Sequence, residues 1–215
     1  MHKLHRALLL EKLYLLQSCG FSYCDPQFLA PKTIGFKKEN EQDFKKIVES
    51  CKLCDKKGAS NFGLCNKNSK MAFVSLMPIL DGQLRFAGNM AQMLKNIIEK
   101  VFFLKINEVS ILSLLKCEIP LNAQNASVEQ CSGYFLKQLE MCGAKILVIL
   151  GGDVYAYLTQ DGSHYNKVQG KVLQWNQITI FPTFSLGVLM RDVRLKAVAH
   201  RELLLLKEFM ERENA

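Results

Sequence analysis

Short apolar strand candidates alternate with helical segments along this chain, and that alternation restricts the possible folds more than any other feature. Strand candidates lie at 71–76, 109–115, 145–150 and 177–181, and helical patterns lie at 86–104, 127–141, 153–158 and 193–211. Strands separated by helices pair in parallel, and a parallel sheet needs helices on both faces. We therefore predict an α/β fold, a three-layer α/β/α sandwich with a central, mostly parallel sheet.

Two local patterns refine this prediction. Ser-Val-Glu-Gln at 127–130 has the form of a capping box, which predicts that a helix begins there. Gly151 and Gly152 follow a strand candidate directly, which predicts a tight strand-to-helix turn. Because ligands of parallel α/β sheets bind outside the carboxyl ends of the strands, we expect the functional site near residues 75–78, 113–116, 151–152 and 182–185.

Residues 1–50 differ in character from the rest of the chain. They contain a Leu-rich helical pattern at 4–17, an irregular stretch at 21–36 and a charged amphipathic helical pattern at 39–50. We expect a helical N-terminal extension at 1–50 and the α/β domain at 51–215. The basic start and the apolar residues 7–10 are similar to a signal peptide, but Glu11 and Lys12 interrupt them, so we expect a helix of the mature protein.

The charge balance is moderately basic. The chain has 28 Lys and Arg against 20 Asp and Glu, a formal charge of +8. This excess suits a nucleic-acid partner, although a basic enzyme of another kind would carry it too. With 49% hydrophobic and 22% charged residues, a disordered or low-complexity protein is excluded. Apolar runs are far shorter than the roughly 20 residues of a spanning helix, so we expect a cytoplasmic protein without a membrane segment.

Cysteines are the most distinctive candidate ligands, since eight are many for a reducing compartment. Cys51 and Cys54 form a C-x-x-C pair, which can be a redox motif, part of a zinc site or a chance spacing. Cys117 follows a strand candidate, and Cys131 lies in the first turn of a predicted helix. Four thiolates can bind zinc or a [4Fe–4S] cluster. Cys65 is the main competitor for a ligand position.

The segments around these cysteines resemble the iron–sulfur branch, family 4, of the uracil-DNA glycosylase superfamily. Lys-Cys-Glu-Ile-Pro-Leu-Asn at 116–122, then Cys131 and the strand candidate before Gly151, are similar to the family's K-C-R-P-P-x-N, second cysteine and P-x-v-I-v-x-L-G strand. Phe-Ala-Gly-Asn at 86–89, Phe-Pro-Thr-Phe at 181–184 and Leu-Met-Arg at 189–191 resemble further family segments. The similarity runs from residue 51 to about residue 208 and leaves residues 1–50 uncovered.

The resemblance implies a fold, a cofactor and a task. The cofactor is a structural [4Fe–4S] cluster on Cys51, Cys54, Cys117 and Cys131, with zinc as the alternative. The task belongs to base-excision repair: the protein binds DNA, extrudes a uracil and hydrolyses its N-glycosidic bond. Extrusion is needed because the reacting atoms are hidden within the duplex. The base then needs stacking, hydrogen bonds to its edge and a donor that stabilises the uracil anion.

The resemblance also implies a base pocket at Ser75, Phe86, Ser113 and Ser185, but the reactive positions depart from the family pattern. The family's acid falls on Leu76, which cannot polarise a water molecule. Its uracil-reading Asn falls on Ser113, which can make one hydrogen bond but not a pair. Its His falls on Ser185, which removes the usual donor to the uracil oxygen. Phe86 retains the stacking aromatic, although an aromatic at a helix start is commonly a core residue.

Two further assignments remain open. Asp81 is the nearby carboxylate that could replace the lost acid. Arg191 and Lys196 are candidates for DNA contacts, because phosphate binding needs positive charge in register, and a solvated basic helix start is the alternative.

Three functions therefore compete: a true glycosylase, a catalytically degenerate DNA-binding relative, and a partner subunit of a DNA-maintenance complex. The last would dock through the helix at 4–17 or through the closing helix with its leucines at 203–206.

Overall fold

A computed structural model of the chain describes residues 40–54, 60–119, 124–160, 162–175 and 178–213. The helices are α1 (Glu41–Glu49), α2 (Gly88–Asn96), α3 (Gln124–Cys142), α4 (Gly152–Thr159), α5 (Tyr165–Val168), α6 (Leu186–Arg191) and α7 (Arg194–Glu213). The strands are β1 (Met71–Ser75), β2 (Val109–Ser113), β3 (Ile146–Leu150), β4 (Leu173–Trp175) and β5 (Ile178–Thr183). A π-helical turn (Ile97–Val101) extends α2, and a 3-10 turn (Ile106–Glu108) precedes β2.

Within the described residues the strands form one sheet in the order β2-β1-β3-β5-β4. All neighbours pair in parallel except β4, which runs antiparallel to β5. The prediction of an α/β fold with a mostly parallel sheet flanked by helices is confirmed, and each predicted strand is present. β4 was not predicted, because a partly exposed edge strand of 3 residues is too short to show a hydrophobic period.

The core lies between the sheet and the helices packed on it. Every residue of β1 and β2 is buried, as are Leu147–Leu150 of β3, and such continuous apolar runs are typical of a sheet covered on both faces. Phe73, Val148 and Phe181 of three adjacent strands share one cluster with side chains from α2, its π-helical turn and α7. This packing fixes the ends of β1, β3 and β5 side by side.

The capping-box prediction at 127–130 is wrong. Helix α3 begins at Gln124, so Ser127 lies within its first turns and is buried instead of capping the helix. The S-x-x-Q pattern requires a free helix start to act as a cap, and here the helix extends further towards the N-terminus.

The part of the N-terminal extension that can be described packs on the α/β domain. Residues 38–215 form one compact unit, and α1 lies in it. The Asn40 side chain caps α1 by accepting a hydrogen bond from Asp43 N at 2.9 Å. Phe44 is fully buried, with ring centroids 5.8 Å from Phe62 and 6.1 Å from Tyr134. The predicted helix at 4–17 lies outside the described residues, so the extension at 1–50 stays a prediction.

A buried lysine joins the end of β2 to α3. Lys116 is fully buried, and its Nζ donates to the carbonyl of Ser113 at 2.5 Å and to the side-chain oxygen of Gln138. Gln138 Nε2 in turn donates to the carbonyl of Phe62 at 2.5 Å. Burial lowers the pKa of Lys116 to about 7. No buried side-chain polar atom in the described ranges lacks a hydrogen-bond partner.

Of the helices that the structure describes, none is both long enough and apolar enough to traverse a bilayer.

Gly63 provides a direct test of how the segment before β1 is attached to the sheet. Its φ is +79°, and a Cβ there would lie 2.6 Å from the carbonyl oxygen of Ile111, beside the isolated bridge between Leu64 and Ile111. We expect Gly63→Ala to lower the free energy of unfolding by about 2 to 4 kcal/mol, measured by urea denaturation. Gly82→Ala is the control, because nothing lies within 4 Å of its added methyl group. Equal stability of the two variants would contradict this arrangement.

Candidate active site

An open cleft of about 940 Å³ lies at the carboxyl ends of β1, β3 and β5. Its walls come from 75–79 after β1, 150–154 after β3 and 184–188 after β5, together with 118–119 and residues of α5. This is the edge at which parallel α/β sheets bind their ligands, and its size is that of a small-molecule pocket.

Two glycines bring the cleft walls together. Gly151 has a φ of +113°, and a Cβ there would lie 3.1 Å from Cβ of Ser185, so the turn after β3 packs closely on the segment after β5. A Cβ on Gly152 would lie 3.2 Å from the ring of Tyr165. The tight turn predicted at these glycines is present, and it allows Tyr165 of α5 to reach the cleft.

Ser75 and Ser185 both line the cleft, but their hydroxyl groups also serve the backbone. Ser75 Oγ donates to the carbonyl of Met77 at 2.6 Å. Ser185 caps α6, accepting a hydrogen bond from Val188 N at 3.3 Å. Leu76 also lines the cleft and presents no ionisable group. Two of the three departures from the family pattern, Leu76 and Ser185, therefore face the cleft directly.

Phe86 and Ser113, the other predicted pocket residues, are not among the lining residues of the cleft. Phe86 is partly buried and packs against the hydrophobic core cluster. Ser113 is buried at the end of β2, where its carbonyl accepts from Lys116. The aromatic side chains that do line the cleft are Tyr165 and Phe184. Sequence reasoning missed both, because neither occupies a family position that supplies stacking.

Asp81 is held in its own loop. Its carboxylate accepts from the backbone N–H groups of Arg85 at 2.8 Å and Gln83 at 2.9 Å, and it pairs with Arg85 Nε at 2.7 Å. The hydrogen bonds from Arg85 lower the pKa of Asp81. Asp81 does not line the cleft, so the structure gives no geometric support to its role as a replacement acid.

The polar groups of the cleft lie elsewhere. Glu118 and Asp153 are exposed carboxylates in its lining, and Asn166 is an exposed amide. The Tyr165 hydroxyl donates to the carbonyl of Thr183 at 2.7 Å. Burial, followed by the charges of Glu202 and Asp153, raises the pKa of Tyr165 to about 12. The phenol therefore stays protonated at neutral pH and acts as a hydrogen-bond donor.

The predicted DNA-contact residues lie on α6 and α7. Arg191 is exposed, and its Nε donates to the carbonyl of Gly187 at 3.3 Å. Lys196 is exposed in the first turn of α7. Arg191 closely follows residues 184–188 of the cleft wall in sequence, whereas Lys196 lies further along in α7. The role of both residues in binding DNA stays a prediction.

The four predicted cluster ligands lie on three separate elements. Cys51, Cys117 and Cys131 are buried, and Cys54 is partly exposed. Burial raises the pKa of Cys131, and the charges of Cys51 and Cys117 raise it further. In the described ranges, however, no group of three or more Cys, His, Asp or Glu side chains lies close enough to hold a metal ion. The donor type fits a cluster, but the thiols are not arranged as a ligand set.

Cys65 is near a different thiol. Its sulfur donates to the carbonyl of Gln138 at 3.5 Å. Burial raises the pKa of Cys65 to about 12, with Cys142 as the next contributor. A thiol with this pKa is protonated at neutral pH when no metal is bound. Whether Cys65 is a ligand stays a prediction that the described residues do not test.

The chain matches a family profile described as the Uracil DNA glycosylase superfamily over residues 62–206. It is also similar to a Type-4 uracil-DNA glycosylase from Saccharolobus solfataricus, at 24% identity over 74% of this chain and 80% of that protein. The protein of the same description from Archaeoglobus fulgidus is 27% identical over 63% of this chain and 74% of the relative. The one from Sulfurisphaera tokodaii is 24% identical over 57% of this chain and 60% of the relative.

The high pKa of Cys65 predicts slow alkylation. Because its pKa is about 12, only roughly 10⁻⁴ of the thiol is ionised at pH 8, and the thiolate is the reactive form. We expect iodoacetamide to modify Cys65 at least about 100-fold more slowly in the folded protein than in urea, measured by peptide mass spectrometry. Equal rates in the folded and unfolded protein would show that the thiol is accessible and ionised.

Proposed function

Because the chain belongs to the uracil-DNA glycosylase superfamily, we propose that it binds DNA and holds an extruded uracil in the cleft at the carboxyl ends of β1, β3 and β5. One observation carries this proposal: every wall of the cleft comes from residues 75–188, inside the matched range 62–206. The family resemblance and the cavity therefore coincide in the same part of the molecule.

The cleft offers the contacts that an extruded base needs. Tyr165 and Phe184 supply aromatic faces for stacking, and the Asn166 amide supplies both a donor and an acceptor for the base edge. Stacking on aromatic side chains is worth about 1–3 kcal/mol per base. These contacts come from α5 and the end of β5, since Phe86 and Ser113 lie outside the lining.

Hydrolysis would be slow in this cleft. Glu118 and Asp153 are the lining carboxylates that can polarise a water molecule, and Ser185 can donate one hydrogen bond in place of the family's His. Removing one donor to a developing anion typically costs about 10²- to 10³-fold in rate. We propose weak uracil release that depends on the carboxylates of the cleft and not on Asp81.

A second candidate function, DNA recognition without hydrolysis, is favoured by the apolar Leu76 and by the commitment of Ser185 to capping α6. In this case the cleft would bind the extruded base and leave its glycosidic bond intact. Arg191 and Lys196 would hold the phosphates in either function, and such contacts weaken as salt rises.

The activity test uses oligonucleotides that carry one uracil, single-stranded or paired with guanine, with thymine as the control base. We expect a slow, uracil-dependent abasic product, visible as strand cleavage after alkali, that Glu118→Gln/Asp153→Asn lowers at least about tenfold. Asp81→Asn is the matched carboxylate control and should cleave at the wild-type rate. Uracil-dependent binding without product would establish the second function. Equal binding of uracil and thymine DNA without product would contradict both.

We also propose that Cys51, Cys54, Cys117 and Cys131 hold a [4Fe–4S] cluster. The support is the burial of three of them and the mutual influence of their thiols, while their separation in the described residues speaks against a preformed site. The cluster would supply a structural cross-link between the end of α1, the segment after β2 and α3. No catalytic step depends on it.

The iron content of protein purified without oxygen tests this assignment. We expect a brown protein whose iron is lost in Cys117→Ser, since thiolates hold such clusters. Cys65→Ala should retain the iron, because Cys65 lies with Cys142 and is protonated. A colourless protein with stoichiometric zinc would replace the cluster by a zinc site, and a protein free of both metals would contradict the proposal.

A further inference from the structure

A second cavity, which we call the side groove, lies between α2 with its π-helical turn and α7, and has a volume of about 570 Å³. Helix α6 borders both cavities, because residues 186–188 line the cleft and residues 189–190 line the side groove. The proposed function uses the cleft and, apart from the phosphate contact proposed for Lys196, assigns no role to the lining of the side groove.

The side groove combines an apolar floor with a basic rim. Its floor includes Met93, Ile97, Val101, Leu189 and Leu203. The ionisable side chains in its lining are the exposed Lys100, Lys196 and His200, and none of the described lining residues is acidic. The ion pairs found in the described part of the chain do not include these two lysines. The nearest acidic residue in sequence, Glu99, pairs with Lys95.

An exposed aromatic ring follows the floor residue Val101. Phe103 is 72% exposed and has a φ of +53°, a left-handed conformation that bulky residues rarely adopt. It follows the end of the π-helical turn, where glycine is the common residue in this conformation. Lys207 Nζ lies 4.4 Å from its ring centroid. The chain therefore keeps a large aromatic residue exposed at a position where glycine would fit without strain.

We propose that the side groove binds an acidic amphipathic helix of a partner protein. Apolar side chains spaced three and four residues apart fit an apolar groove between two helices, and Asp or Glu on their flanks match Lys100, Lys196 and His200. Phe103 does not line the groove, but it follows the lining residue Val101 by two positions, and we include it in the proposed contact because exposed aromatic residues are common anchors of such interfaces. This inference goes beyond the proposed function and does not depend on the chemistry of the cleft.

Charge distinguishes an acidic amphipathic helix from other possible occupants of the side groove. Residues 1–39 of this chain carry six Lys and Arg against three Asp and Glu, and a second copy carries a net charge of +8, so both would be repelled by the basic rim. DNA phosphates match the rim, but they leave the apolar floor and Phe103 uncovered. An acidic helix with an apolar face satisfies both parts of the surface.

Selection from a display library of 16-residue peptides on the full-length protein tests the proposal. We expect enriched peptides with Asp or Glu beside Leu, Phe or Trp at helical spacing. In fluorescence anisotropy, synthetic versions should bind Lys100→Glu at least about tenfold more weakly than wild type. Lys171→Glu is the matched control, because Lys171 is exposed and lies outside the groove lining, and it should bind with wild-type affinity.

Phe103→Gly distinguishes recognition from stability. Because glycine adopts the left-handed conformation without strain, we expect an equal or higher Tm together with at least about tenfold weaker peptide binding. Peptides without acidic residues, or peptides that bind Lys100→Glu and Phe103→Gly as tightly as wild type, would overturn the proposal. The proposal would also be overturned if Lys100→Glu weakened the binding of single-stranded DNA more than it weakened the binding of the peptides, since the groove would then belong to the DNA surface.

Discussion

The buried Lys116 side chain fixes the part of the molecule on which the other features depend. Lys116 has no contact with water, so the N–H groups of its amine are satisfied by the end of β2 and by Gln138 of α3. Its own carbonyl accepts from Asn61 N at 2.6 Å, and the Asn61 side chain donates to the carbonyl of Leu80 at 2.5 Å. One hydrogen-bonded network therefore joins the segment before β1, the segment after it, the end of β2 and the middle of α3. Cys117 follows Lys116 directly in sequence, and the Cys131 thiol interacts with the backbone of Lys116.

The elements that the sequence predicts well are those with a strong, repeated pattern. Four apolar runs became the four parallel strands, because a strand buried on both faces must be apolar throughout. Ser127 shows the opposite case: a local capping pattern was overridden when α3 began at Gln124. The edge strand β4 and the short helix α5 have too few residues for any period to be visible.

The candidate site, like the fold, was predicted from the sequence only in part. Its location at the carboxyl ends of the strands follows from the fold, and Ser75 and Ser185 lie where they were expected. Tyr165 could not be predicted, because it reaches the cleft only through its close packing on Gly152. Phe86 and Ser113 matched family positions in the sequence, but a match gives the order of residues and not the direction of a side chain. The outcome is a cleft built from residues inside the range that matches the family, with polar groups at positions that the sequence did not predict.

Helix α6 has a consequence for how the two cavities can communicate. Only 6 residues long, it forms part of the wall of both, and its N-terminus is held by Ser185 inside the cleft. A ligand that displaces α6 from one cavity changes the binding free energy of a second ligand at the other cavity. Because thermodynamic linkage is reciprocal, the second ligand changes the binding free energy of the first by the same amount. Cooperative or mutually exclusive occupancy of the two cavities would thus be decided by six residues.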